Sequence, residues 1–578
     1  MHHATLLHEH CPACTPPAWV GRLVDHRPVA PGPRIPVARA PFVDPGTADL
    51  LVLGRVVTMD PNRPEAEAIA IAGGRIVAVG TRGEVEDRRG PDTEVLELSE
   101  TVCYPGFIEP HAHLWISAVI DHWVDASPIA HGTFDEICTV LRAAAADLPE
   151  DGWLLAKRYD PSLLPGEPAL SRALLDRIVP DHPAIVLNAS MHFVYANSRA
   201  IAAAGLDDSS TAPAGGTFGR DASGHLDGAF GEMPAIGRIL APVPLASQDQ
   251  LQDNVVDVLR TAARRGVTRF HEASTGALFG AGELDILHAL AGAGRLPTRV
   301  SAAIVDNAAR AFAATPLTPF AGDDMARVTS WKIVSDGSNQ GRSGFQAQPY
   351  LGTDDCGHPN YPSSYLVDTI RARAAAGWQV MVHANGDGAI EQVVDAYEEA
   401  LGGSARTDLR HRIEHCSIPT DDHLARMAAA GISPSFLMNH VHYWGRVLRD
   451  RVLGPARADR LDPVASARRH GLRPSFHSDF NVTDIDPLLS VQTAVTRVMR
   501  DGGEVLNPDE CDTVADALRA ITIDAAWQVH ADDVTGSIEV GKYADLVLLT
   551  ADPQAVAPDA IAAIDVVATY VAGARIDA

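Results

Sequence analysis

Between residues 106 and 480 the chain repeats one pattern, in which Ala- and Leu-rich helical stretches alternate with short apolar runs that end on polar side chains. The runs are YPGFIEPHAH, AIVLNASMH, GVTRFHEAS, TSWKIVSDGS, WQVMVHANG, RHRIEHCS, GISPSFLMNH and RPSFHSDF. Strands that alternate with helices form a parallel sheet buried on both faces, and eight such units are the number that a closed (β/α)₈ barrel requires. In that fold the loops after the strands carry the chemistry, so the His and Asp residues that close these runs are expected to share one mouth.

The flanks have a different texture. ADLLVLGRVVTM, AIAIAGGRIVAVG and TEVLELSETVCYPG near one end, and GSIEVGKYADLVLL and DVVATYVAGARIDA at the other, are short β-branched runs between turn signals. They predict a small β-sandwich domain assembled from residues 48–105 and 538–578. The α/β fold is then a TIM barrel over residues 106–537, with a lid subdomain inserted within about residues 115–255, where the barrel rhythm is interrupted. Residues 1–47 form a Pro-rich N-terminal extension, expected to run extended over a surface.

Lys and Arg number 47 against 74 Asp and Glu, a formal charge of −27. Such a surface repels phosphate backbones and anionic headgroups, so neither a nucleic acid nor a membrane is expected as partner. The start of the chain lacks the pattern of a secretory signal, and no segment offers about 18 uninterrupted apolar residues. Seven cysteines without regular spacing fit a reducing compartment, so a soluble, cytoplasmic protein is expected. The 24 histidines, many beside apolar runs, direct attention to metal chemistry.

His111 and His113 stand two apart after GFIEP, and on a strand that spacing points both imidazoles to one face, where they can meet one cation. Lys332 lies among apolar strand neighbours in TSWKIVSDG. Either it is salt-bridged inside the barrel, or burial favours its neutral amine, which captures carbon dioxide to give a carbamate that bridges two metal ions. His383, His415 and Asp479 close the fifth, sixth and eighth runs.

This ordered set, with LVLGRVVTMDP, GGRIVAVG, VHANGDGAI, RIEHCS and GSIEVGKYADLVLL, resembles the metal-dependent amidohydrolase superfamily, and within it the amidohydrolase family 3 branch, whose members include N-substituted formamide deformylases. The likeness spans roughly residues 48–575 and implies a distorted barrel with a sandwich made from both chain ends. It also implies hydrolysis of amide-type C–N bonds by metal-activated water. By carry-over, His111, His113 and Asp479 hold the more buried metal, His383 and His415 the outer one, and a carbamylated Lys332 bridges them. One or two zinc ions are expected, with other divalent metals fitting similar ligands. Asp479 is the expected general base and acid.

His192 in SMHFVYANS resembles the family's His before an Asn-Ser pair, a catalytic candidate that would bond the substrate carbonyl or leaving group. His271, Arg342, His440, His442 and Trp444 are candidate substrate contacts at the mouth. His8, His10, Cys11 and Cys14 offer two imidazoles and two thiols within seven residues, which suits a structural zinc knuckle, with a redox pair or a surface-docked tail as alternatives. The expected activity is cleavage of a small non-peptide amide such as an N-substituted formamide or carbamate, in a homodimer. The alternatives are a metal-dependent lyase or isomerase on the same scaffold, and a non-catalytic scaffold protein.

Overall fold

The computed structural model describes residues 23–577 apart from residues 192, 215, 314–315 and 404. Eight parallel strands form the central sheet in chain order: β1 Phe107–Ala112, β2 Val267–Thr275, β3 Arg299–Val305, β4 Ala326–Val334, β5 Gln379–Ala384, β6 Arg412–His415, β7 Ser433–Phe436 and β8 Ser475–Phe476. Every residue of β2, β4 and β5 is buried, as expected of parallel strands with side chains on one face and helices on the other. The seam between β8 and β1 is not a ladder. It is joined by two backbone bonds, Asp479 N to His111 O at 3.2 Å and His113 N to Phe480 O at 2.7 Å. The barrel is nearly closed, and its last stitches lie at the mouth.

The helices between the strands are laid down by ordinary local rules. Gln248–Arg264, for example, starts at a capping box between Ser247 and Gln250 and buries Leu251, Val255, Val258, Leu259 and Ala262.

The count of eight agrees with the sequence, but two assignments do not. Ala184–Asn188, expected as the second barrel strand, instead pairs antiparallel with Phe193–Ala196 and belongs to a separate six-stranded sheet. The second barrel strand is Val267–Thr275, and the third is Arg299–Val305, a run absent from the expected set. A short apolar run carries no signal of which sheet it joins. Arg299 also begins its strand with a charge, which is neutralised in the fold by Asp545 at 2.7 Å.

The six-stranded sheet lies between β1 and β2 in the chain and has an apolar cluster of its own, with Phe134, Ile137, Leu141, Leu154, Leu175 and Val186. A second eight-stranded sheet draws strands from both chain ends. Its strand Ala48–Val57 is shared, pairing through Leu50–Leu53 with Glu94–Glu97 and through Val56 with Cys103, so the sheet forks there.

The described part of the N-terminal extension follows the barrel surface. Val24–Asp25 pairs with Ala246–Ser247, Arg34 meets Asp285 at 2.6 Å, and Arg39 meets Asp324 at 2.7 Å. His8, His10, Cys11 and Cys14 lie outside the described residues. Among the described residues no helix is long and apolar enough to cross a membrane.

Candidate metal centre

At the mouth, side chains from both ends of the sheet converge. His111 ends β1 and His113 follows it, and each presents Nε2 to Asp479 Oδ1, at 3.5 Å and 3.0 Å. His113 Nδ1 is 3.0 Å from the Ser274 hydroxyl. His113 Nε2 and Asp479 Oδ1 are buried with no further hydrogen-bond partner. Two buried lone-pair atoms facing each other in this way are explained by a cation between them, so the residues fit the metal that the ligand pattern implies.

His415 stands one residue beyond Glu414, and in a regular strand consecutive side chains point to opposite faces. Here both reach the interior: Glu414 binds His111 Nδ1, and the His415 ring centroid is 5.0 Å from that of His111. The backbone makes this possible by leaving the extended region, with φ of +62° at His415 and +46° at Cys416. Asp479 is likewise at φ +53°. Left-handed conformations cost non-glycine residues roughly 1–2 kcal/mol each, a strain that the surrounding structure must hold at these three positions.

His383 ends β5, with its ring centroid 4.5 Å from that of His415. Its Nε2 lies 3.0 Å from Gly337 O, 3.1 Å from Asn385 Nδ2 and 3.3 Å from Asp336 Oδ1. Asp336 in turn accepts from the backbone of Asn385, Gly386 and Phe345. Lys332 is wholly buried on β4, with Nζ 3.2 Å from His111 Nε2.

Burial, together with neighbouring cationic groups, holds His111 and His415 well below the usual imidazole range, so both are neutral donors for a metal. For Asp479 burial opposes ionisation, but the closeness of His113, with His477 and Lys332 nearby, outweighs it, and the carboxyl sits below its ordinary value. Glu414 is kept ionised against its burial by Arg412, which it meets at 2.6 Å. Burial pushes Glu109 up to about 8.

Four contributors were not picked out from the sequence. Glu109 binds the Ser478 backbone and hydroxyl, Arg412 and Glu414 fix His111, and His477 stands 3.1 Å from His415. The signals were present: Glu109 precedes His111 by two residues, Arg412 and Glu414 alternate along β6, and His477 precedes Asp479 by two.

Above the centre opens a cavity of about 400 Å³, into which His383, His415 and Asp479 protrude. Its walls include Asp160, Phe193, Tyr195, Glu232, His440 and Trp444. Three proposed substrate contacts are placed elsewhere. His271 is buried beneath the mouth, with Nδ1 3.4 Å from Arg412, because its strand turns that side chain into the barrel interior. Arg342 donates to Arg451 O at 2.6 Å on the exposed side of its loop. His442 is on the opposite side of its helix from His440 and faces Val498 O. His440 and Trp444, four residues apart on that helix, do line the cavity. His192 lies outside the described residues.

Comparison with known proteins gives this geometry a lineage. The N-substituted formamide deformylase of Arthrobacter pascens is 29% identical, the match covering 91% of this chain and 97% of that protein. Protein LONG AFTER FAR-RED 3 of Arabidopsis thaliana is 27% identical over 92% of this chain and 91% of its own length. An uncharacterised metal-dependent hydrolase from Pyrococcus furiosus shares the fold with a TM-score of 0.67 at 21% identity, over 87% of this chain and 99% of that one. A variant of the atrazine chlorohydrolase TrzN from Arthrobacter aurescens TC1, solved with zinc and atraton, has a TM-score of 0.50 at 15% identity, over 91% and 94% of the two chains. The model of the amidohydrolase family matches residues 94–577, and the chain therefore belongs to that family.

Proposed function

We propose that this protein is a metal-dependent hydrolase that cleaves the amide-type C–N bond of a small, non-peptide molecule, of which an N-substituted formamide is the leading case. The observation that carries the reading is the pair of buried, unpartnered lone-pair atoms on His113 and Asp479, of which Asp479 lines the cavity. The resemblance to a formamide deformylase along nearly the whole of both chains supports the substrate class.

His111, His113 and Asp479 would hold one divalent ion and His383 and His415 a second, with Lys332 placed between them as a carbamate. Such an ion, zinc for preference, supplies an acidified water and a charge that polarises the substrate carbonyl. The chain's own groups do the rest. The Asp479 carboxylate accepts the proton of the attacking water and returns it to the leaving amine. His440, with Asp462 Oδ2 3.8 Å behind its Nδ1, faces the cavity as a further polar contact for the substrate. Phe193, Tyr195 and Trp444 supply an aromatic wall, and Asp160 fixes the Trp444 indole at 3.0 Å.

No described residue of the wall is Lys or Arg, whereas Asp160 and Glu232 are present. That balance suits a neutral or amine-bearing N-substituent and disfavours the carboxylate of an N-acyl amino acid. The six-stranded sheet supplies Asn188, Phe193 and Tyr195 to this wall, and we read it as the lid. We read the forked end sheet as the sandwich domain. A cytoplasmic homodimer completes the proposal; the five described cysteines, all free thiols, support a reducing setting.

The test is to incubate the purified protein with N-benzylformamide and identify products by mass spectrometry. Release of formate and benzylamine, lost on chelation and restored by zinc, is the expected result. Metal-independent turnover, or a rearranged product with its C–N bond intact, would overturn the reading.

A further inference from the structure

We propose that His477 is a ligand of the same centre, a fifth imidazole beside the four at β1, β5 and β6; the proposal rests on the metal-dependent reading above. His477 and Asp479 stand two apart just after β8, as His111 and His113 do at the end of β1, so two dipeptide-spaced pairs face one another across the seam of the barrel.

The hydrogen bonds behind the His477 ring set its tautomer. Gln528 Nε2 gives one hydrogen to Pro434 O at 2.9 Å and the other to Arg473 O at 2.7 Å, so its Oε1 is the acceptor that faces Ser475 at 2.7 Å. The single hydroxyl hydrogen of Ser475 is used there, and Ser435 Oγ, 2.9 Å away, must donate to Ser475. Ser435 Oγ in turn accepts from His477 Nδ1–H at 2.9 Å. The Nε2 of His477 is left as a bare lone pair, and it points at His415 Nδ1 from 3.1 Å. A carbonyl-anchored relay that ends on the far nitrogen of a buried imidazole is how proteins orient a metal-binding histidine.

The third nitrogen comes from His111, whose ring stacks on that of His477 with centroids 4.8 Å apart. Ligand atoms of His111, His415 and His477 all lie within 4.8 Å of one another. Two nitrogens bound to one tetrahedral zinc at about 2.0–2.1 Å stand about 3.3 Å apart, close to the separation seen here. His477 therefore gives the centre an all-nitrogen face, and draws His415 toward His111 as well as toward His383. Such a face favours zinc, cobalt or nickel over manganese or magnesium, which prefer oxygen.

The deciding experiment is a crystal structure of the full chain loaded with Zn²⁺ and recorded at the zinc absorption edge. A zinc peak at about 2.0–2.3 Å from His477 Nε2 is expected. A peak held by His111, His113 and Asp479, with His477 more than about 3 Å from any ion and bonded to His415 alone, would overturn this proposal and leave the metal-dependent reading standing. Finding no bound zinc would overturn both. In parallel, His477→Gln is titrated with Zn²⁺ and with Mn²⁺. Loss of one zinc equivalent, or at least about tenfold weaker zinc binding with a reduced preference for zinc over manganese, is expected; unchanged stoichiometry, affinity and preference would count against the ligand role. Should the variant fail to fold, the crystal structure of the unaltered chain decides alone.

Discussion

Asp479 is asked to do two things at once, to help hold a cation and to move a proton, and the two can be separated by changing one atom. Asp479→Asn keeps an oxygen ligand but no longer accepts a proton, so turnover of N-benzylformamide should fall by about 10²–10⁴-fold while zinc is partly retained. Near-normal kcat in a zinc-loaded variant would remove Asp479 from the proton path. Glu414 acts one layer further back. It anchors His111 Nδ1 and is itself held by the buried Arg412. Glu414→Gln leaves the guanidinium uncompensated and should cost about 3–5 kcal/mol of stability, read by urea unfolding. It should also weaken zinc binding by about 10–100-fold in chelator competition. In the pair Arg412→Met with Glu414→Leu the stability should largely return but the zinc affinity should not, because the His111 anchor is still missing. The His and Asp residues that the fold brings together at the mouth were readable because most of them close an apolar run, and Lys332 because it is a charge inside one. Glu414 was not, since strict alternation sends one of Glu414 and His415 outward, and only the left-handed turn at His415 brings both in; His477 was passed over although it stands two residues before Asp479.

At the scale of elements, the site depends on how the loop after β4 is clamped to the start of the helix Asp387–Leu401. Asp336 accepts from the backbone of Asn385 and Gly386, and Gly386 lies so close to the loop that a Cβ there would stand 1.9 Å from Phe345 O. Its φ is an ordinary −76°, so the need for glycine is one of space. Gly386→Ala should force the loop away, with a loss of about 1–3 kcal/mol, and should loosen Asn385 and with it the His383 ring. A lower thermal midpoint with a raised KM on N-benzylformamide is expected, and an unchanged midpoint would show that the clamp has slack. This contact was invisible in sequence, where VHANGDG reads as a strand followed by a turn. The β/α rhythm itself was legible because periodicity is local. Membership of a sheet is not local, which is why Ala184–Asn188 was placed in the barrel and Arg299–Val305 was left out of it.

For the molecule as a whole, the far end of the barrel carries histidines that fix how the fold answers to acid. His411, just before β6, is buried, and its Nδ1 accepts from Val380 N at 3.0 Å, so protonating that nitrogen breaks a strand contact. Burial brings its value down to about 4. His530, whose Nε2 lies 3.2 Å from Leu409 O, is lowered to about 4 by burial and by Arg410. Both groups titrate near 6.5 once the chain unfolds. Between about 6.5 and 4 the unfolded chain therefore binds protons that the folded chain refuses, so stability rises with pH across that window. It is fully present above 6.5 and is lost as pH falls toward 4. Carrying His411 from 6.5 to about 4 corresponds to about 3 kcal/mol at the acid end of the range. His111, His271, His415 and His477 at the barrel mouth shift in the same direction, so the comparison must isolate one residue: urea unfolding of the chelated wild type and of His411→Gln, between pH 7 and pH 4. Gln keeps an acceptor for Val380 N but does not titrate, and its stability should fall less steeply as pH is lowered. Identical slopes for the two proteins would show that His411 releases its contact without cost to the fold.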